Sequence, residues 1–216
     1  MTVVLSGRPG GTTHREVELL GTLPPELRLI GGLAVMCRVG GPHRATVDLD
    51  AVTRGLPDVH ERLAHLALVS SGGGQYRFTG PLDLDVIDIA PLPADELLAE
   101  LGPGPLTDLE LNVIAHTWAH DTATPLDLVA VDEVSGARLA AALDRQVASA
   151  AGIVAMKATT VPLRASSRPE KRASDLYDLG RLLVAARPAA ADLAPLPAPV
   201  RSVVDDRLVG WFVDDG

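Results

Sequence analysis

Two aspartates separated by a single residue, Asp48 and Asp50, close the run Arg44-Ala45-Thr46-Val47-Asp48-Leu49-Asp50. Upstream, a glycine pair interrupts the apolar stretch Leu29-Ile30-Gly31-Gly32-Leu33-Ala34-Val35. In an extended strand, side chains at i and i+2 leave the same face, so Asp48 and Asp50 project side by side. Two carboxylates so placed repel unless a cation lies between them. Hard oxygen ligands of this kind suit Mg²⁺, which bridges carboxylates and phosphates. Gly31-Gly32, opening a helix, offers bare backbone N–H groups on which phosphates can rest. The pattern points to a metal site that handles nucleotides.

Such chemistry calls for a third acid on a neighbouring strand, to orient or deprotonate an acceptor hydroxyl. Asp83, Asp85 and Asp88 are available. Asp88 is the expected choice, because a carboxylate set between Ile87 and Ile89 needs a reason to be there. Asp83 and Asp85 stay open as alternatives; they share a face with each other and not with Asp88. Lys157 lies in the apolar segment Ile153–Ala158, and is one of two lysines in a chain of 17 arginines. It reads either as a snorkelling lysine or as an ammonium aimed at a triphosphate. Arg164, Arg168, Lys171 and Arg172 form a basic segment ahead of Asp175 and Asp178, which are neighbours on a helix face. His116 and His120 are also helix neighbours but lack the glutamate of a metalloprotease motif. Gly72–Gly74 lacks the lysine of a P-loop and reads as a turn.

The elements that must position these groups follow from periodicity and punctuation. Helices are expected over Thr12–Leu23, Leu33–Val39, Pro57–Val69, Asp95–Leu101 and Thr107–His120, the last capped by Thr107. Strands are expected over Leu27–Ile30, Arg44–Asp50, Gln75–Thr79, Leu82–Ile89 and Leu126–Val131. From Ser135 onward the Ala-rich chain reads as helical over Ser135–Gln146, Val147–Leu163 and Lys171–Ala186. Pro188–Pro199 reads as a linker, and Val200–Val209 as a last helix beside Trp211 and Phe212. The expected fold is α+β: a mixed sheet with flanking helices over residues 1–134, and a mainly helical lobe over 135–216 closing the cleft.

Composition narrows the class. Of 216 residues 47% are hydrophobic, which excludes a disordered chain, and the 3% of aromatics leave Leu, Val and Ala to build the core. The single cysteine, Cys37, excludes an internal disulfide. It reads as a buried structural thiol in a reducing, cytoplasmic setting. No apolar run is long enough to span a membrane, and no signal peptide is visible. A net charge of −9 opposes nonspecific nucleic-acid binding over the whole surface, leaving a local basic groove open.

Leu29–Val35 followed by Arg44–Asp50 resembles the opening of AbiEii/MenT-type nucleotidyltransferases, of the DNA polymerase β-like superfamily. Ala155-Met156-Lys157-Ala158, and then Arg168 to Leu179, resemble that family's second half in order and spacing. The resemblance covers roughly Leu27 to Leu183. It implies Mg²⁺ or Mn²⁺ held by Asp48 and Asp50, with Gly31 and Gly32 in the phosphate-binding turn. It further implies Lys157 on the triphosphate, Asp175 as the second-lobe acid, and Arg44, Arg168 and Lys171 supporting the nucleotide. Ser174 stands where the family has a lysine, so Lys171 or Arg172 would supply that charge. The activity implied is transfer of an NMP from an NTP to an acceptor hydroxyl. RNA, with the tRNA 3′ end as a candidate site, is the first acceptor, and an antitoxin protein the partner. A catalytically degenerate binding module and an aminoglycoside-type modifier of small molecules are the competing readings.

Overall fold

The computed structural model describes residues 1–40, 48–66, 68–78, 82–164 and 168–214. Among the described residues eight strands form one mixed sheet: β1 (Thr2–Gly7), β2 (Arg28–Ile30), β3 (Asp48–Thr53), β4 (Leu68–Gly72), β5 (Gln75–Phe78), β6 (Leu82–Asp88), β7 (Thr124–Asp132) and β8 (Arg138–Val147). Their order is β1-β7-β8-β2-β3-β6-β5-β4. The helices are α1 (Thr12–Thr22), α2 (Gly31–Val39), α3 (Leu56–Leu63), α4 (Ala94–Leu101), α5 (Asp108–Asp121), α6 (Ala150–Leu163), α7 (Pro169–Arg181), α8 (Ala190–Leu193) and α9 (Ala198–Val209). The chain is thus the expected α+β mixed sheet with flanking helices and a helical C-terminal part. No helix among the described residues is long and apolar enough to cross a membrane.

Contacts divide the chain into two compact units. The first gathers Met1–Cys37, Gly41–Asp88 and Ala123–Ala148; the second gathers Arg38–Gly40, Ile89–Thr122 and Ser149–Gly216. This grouping differs from a division between residues 134 and 135, because β7 and β8 complete the sheet of the first unit while α4 and α5 pack with the helices of the second.

The largest departure from the sequence reading is Ser135–Gln146, expected as helix and found as β8. Helix propensity favoured the alanines, but tertiary pairing overrides it. Asp132 Oδ1 accepts hydrogen bonds from the N–H groups of Val134 (3.0 Å) and Ser135 (2.7 Å), and Gly136 takes φ +70°. This turn folds β8 back antiparallel on β7, with Ala140 opposite Ala130 and Ala142 opposite Leu128. The small side chains admit α1, whose Val17 and Leu20 are fully buried. Arg145 of β8 anchors the end of α1 by donating to the carbonyls of Leu23 (3.0 Å) and Pro24 (2.9 Å).

In the second unit, α5 begins in a capping box: Thr107 Oγ1 accepts from Glu110 N, and Glu110 accepts from Thr107 N at 2.7 Å. Ser149 caps α6 by accepting from Gly152 N at 2.9 Å. Part of the expected linker is helical, as α8, and Leu193 and Leu196 within it are buried.

Candidate active site

β3 and β6 run parallel, with Asp48 opposite Asp83 and Asp50 opposite Asp85. Directly opposed residues of neighbouring strands share a face, so four aspartates stand together on one side. Leu49, Ala51 and Leu84, fully buried, and Val86, nearly so, point to the other side and form the core. Within this group, carboxylate oxygens of Asp48, Asp50 and Asp85 all lie within 4.8 Å of one another, each residue half-buried. Among the described residues, no other set of acidic, histidine or cysteine side chains converges in this way.

Asp83 is held apart by Arg77 on the adjoining strand β5. Arg77 donates from Nε and a terminal nitrogen to the two Asp83 oxygens at 2.9 and 3.0 Å. That hydrogen-bonded pair holds the Asp83 carboxyl below the usual carboxylate range.

Asp88, the expected third acid, lies outside the cluster. It stands opposite Thr53 at the end of β6, three residues beyond Asp85 and so on the other side of the strand. Its Oδ1 accepts from the N–H groups of Gly55 and Leu56, both at 3.3 Å, at the start of α3. The isoleucine flanks misled because Ile87 is 43% exposed and Asp88 itself is exposed. Asp85, not Asp88, converges with Asp48 and Asp50. The parity of the two Asp-x-Asp pairs carried that signal, but the register between β3 and β6 is needed to read it.

Gly31 follows β2, whose Ile30 lies opposite Asp50. It adopts φ +66°, and an added Cβ would come 2.0 Å from Asp50 Oδ2. The backbone of this turn therefore rests directly against a cluster carboxylate, and only glycine fits. Gly31→Ala is expected to cost about 2 kcal/mol from the left-handed backbone alone. It should also displace Asp50 and weaken Mg²⁺ binding at least tenfold, as read by isothermal titration. An unchanged Mg²⁺ affinity would separate the turn from the cluster.

Sequence reasoning missed Glu16. It sits on α1, 2% exposed, and its Oε1 has no hydrogen-bond partner. Burial pushes its carboxyl from 4.5 up to about 7, and the charge of Asp48 adds to the shift. A carboxyl raised in the folded state stabilises fully below its unfolded value, and that contribution fades as pH climbs through the folded value. Folding free energy should therefore fall by about 3 kcal/mol between pH 4.5 and 7.5 on account of Glu16. Urea midpoints at pH 5 and 8, in chelator, test this. Glu16→Gln should lack that component, and parallel pH slopes for the two proteins would exclude it. His116, lowered to about 4 mainly by burial, slopes the opposite way and is common to both proteins.

The second-unit residues form their own network. Lys157, 5% exposed, bonds Asp175 at 2.7 Å and Asp178 at 2.8 Å, and Arg164 also pairs with Asp175. Arg168 and Lys171 are exposed. Arg44 lies outside the described residues. His116 and His120 are buried in α5, His116 Nδ1 against the Asn112 carbonyl at 2.8 Å and His120 Nδ1 against Asp121 at 3.1 Å; among the described residues they belong to no group that could hold a metal ion.

Three clustered carboxylates on adjacent strands of a mixed sheet, beside a strand–glycine–helix turn, define a nucleotidyltransferase. The sequence pattern of AbiEii, the nucleotidyl transferase toxin of type IV TA systems, matches residues 19–202, and the chain belongs to that family. Among solved structures it is similar to an antigenic nucleotidyltransferase-like protein from Paracoccidioides brasiliensis. The two share a TM-score of 0.51 at 19% identity, over 94% of this chain and 89% of that one, which establishes a common fold. No curated protein matches this chain in sequence.

Proposed function

We propose that this chain moves a nucleoside monophosphate from an NTP onto a hydroxyl of an RNA acceptor, the 3′ end of tRNA being the first choice. We further propose that it acts in the cytoplasm as the toxin of a toxin–antitoxin pair, with a cognate antitoxin protein as partner. The observation that carries the reading is the convergence of Asp48, Asp50 and Asp85 beside Gly31.

The donor set fits Mg²⁺ or Mn²⁺, since all three side chains offer hard oxygens within the span of one or two coordination spheres. A cation bound there offsets the negative charge that builds on the phosphoryl oxygens. The N–H groups at the start of α2, from Gly31 and Gly32, receive the outer phosphates of the NTP. Asp85 orients the acceptor hydroxyl. As its oxygen bonds to the α-phosphorus, the bond to the bridging oxygen breaks and pyrophosphate leaves, while the hydroxyl proton passes to the Asp85 carboxylate. Positioning of the two reacting groups in line supplies most of the rate. Arg168 and Lys171, both exposed, are available to RNA phosphates.

The test is incubation with Mg²⁺, each of four α-labelled NTPs and total bacterial RNA, wild type beside Asp48→Ala. Label entering tRNA-sized RNA with wild type alone is the expected result. Equal transfer by Asp48→Ala would refute the site. Label passing to a polycationic aminoglycoside instead would replace the acceptor and keep the chemistry.

A further inference from the structure

Beyond Asp85 the acid-bearing face of the sheet continues across β6, β5 and β4 as an open groove of about 440 Å³, lined by Asp48, Ser70, Gln75, Arg77, Asp83 and Asp85. Its place in the strand order is informative. Reading across β2-β3-β6-β5-β4, the glycine turn at the end of β2 lies on one side of the cluster and the groove on the other. An in-line displacement puts the leaving group and the attacking oxygen on opposite sides of the phosphorus. With pyrophosphate at the glycine turn, the attacking hydroxyl must arrive from the groove.

We propose that this groove is the acceptor seat, and that what it holds is an uncharged, hydroxyl-bearing sugar of nucleoside size. The inference rests on the nucleotidyl-transfer reading above. Size and chemistry both support it. A volume near 440 Å³ lies at the small end of ligand pockets. Gln75 stands opposite Asp85, and Arg77 opposite Asp83, in the β5–β6 pairing. Arg77 is the cation among the described lining residues, and two of its nitrogens already satisfy Asp83 in a bidentate pair. With Asp48 and Asp85 given to the metal, the groove offers Ser70 and Gln75 as neutral donors and acceptors. That surface suits the ribose and base edge of one nucleoside, while the phosphates of an RNA would be held elsewhere.

Cys37 is the sole cysteine and is 1% exposed, so Ser70→Cys would place a uniquely reactive thiol in the groove. Thiol alkylation of this variant is expected to slow at least fivefold with total tRNA and to be unaffected by a Mg²⁺–NTP analogue alone. Periodate-oxidised tRNA, which has lost its terminal diol, should not protect. Protection by free adenosine to the same degree would make a lone nucleoside the source of the sugar. In parallel, Ser70→Trp should raise the KM for RNA at least tenfold with Mg²⁺–NTP binding within twofold of wild type. Val4→Trp, on the opposite edge strand, should change neither. Protection by Mg²⁺–NTP alone, or an unchanged acceptor KM in Ser70→Trp, would overturn the proposal. Absence of both transfer and NTP binding in wild type would instead defeat the underlying functional reading.

Discussion

Asp85→Asn is expected to lower transfer by about a thousandfold or more while leaving the fold intact. The substitution is nearly isosteric, yet it removes both a hard anionic ligand and the group assigned to receive the acceptor proton. Losses of preorganised electrostatic groups run to about 10²–10³-fold each, or roughly 3–4 kcal/mol in the barrier, and here one side chain carries two such duties. Stability should move the other way. Asp48, Asp50 and Asp85 crowd three negative charges within 4.8 Å, so in chelator Asp85→Asn should unfold later than wild type, by about 1 kcal/mol. Added Mg²⁺ should then stabilise wild type more than the variant, since a ligand that binds the native state adds to its free energy. Asp88→Ala provides the contrast: it loses the contacts to Gly55 and Leu56 N–H and about 1 kcal/mol of α3 capping, with transfer unchanged. Single-turnover rates and urea midpoints on the three proteins decide the matter. If Asp88→Ala lost activity and Asp85→Asn kept it, the register between β3 and β6 would be assigned wrongly.

The pair Asp48/Asp50 and the glycine turn were legible because each is a local pattern: a period of two, and a backbone conformation only glycine takes freely. The third acid was not, since Asp83, Asp85 and Asp88 differ only in which strand residue each stands beside, and a register spanning some 35 residues is invisible to local reading. β8 failed for a related reason. Its alanines satisfy helix propensity, and only the Asp132–Gly136 turn, which reverses the chain onto β7, marks it as a hairpin arm. Glu16 gave no signal at all. On an amphipathic helix it reads as a solvated residue, and its burial emerges only when α1 is packed on the sheet.

Lys157→Met is expected to destabilise the protein by about 3–5 kcal/mol, the usual consequence of removing one partner from a buried ion pair. Lys157, Asp175 and Asp178 are at most 5% exposed, so the ammonium that satisfies both carboxylates cannot be replaced by water at little cost. Against a typical total of about 5–15 kcal/mol, such a loss brings the chain near unfolding. The origin of the loss is testable, because it lies in the lost ion pairs with Asp175 and Asp178 and not in the missing methylenes. Lys157→Met combined with Asp178→Asn should recover much of it, giving a coupling energy of about 1–3 kcal/mol in a double-mutant cycle. Asp175 keeps Arg164 as a partner after the substitution. The family resemblance instead gives Lys157 to the triphosphate. On that reading Lys157→Met would keep its urea midpoint and lose Mg²⁺-dependent NTP affinity. A buried lysine already bonded to two aspartates would have to surrender those contacts to reach a phosphate, which is why the midpoint, measured before any assay of activity, is the measurement that separates the two.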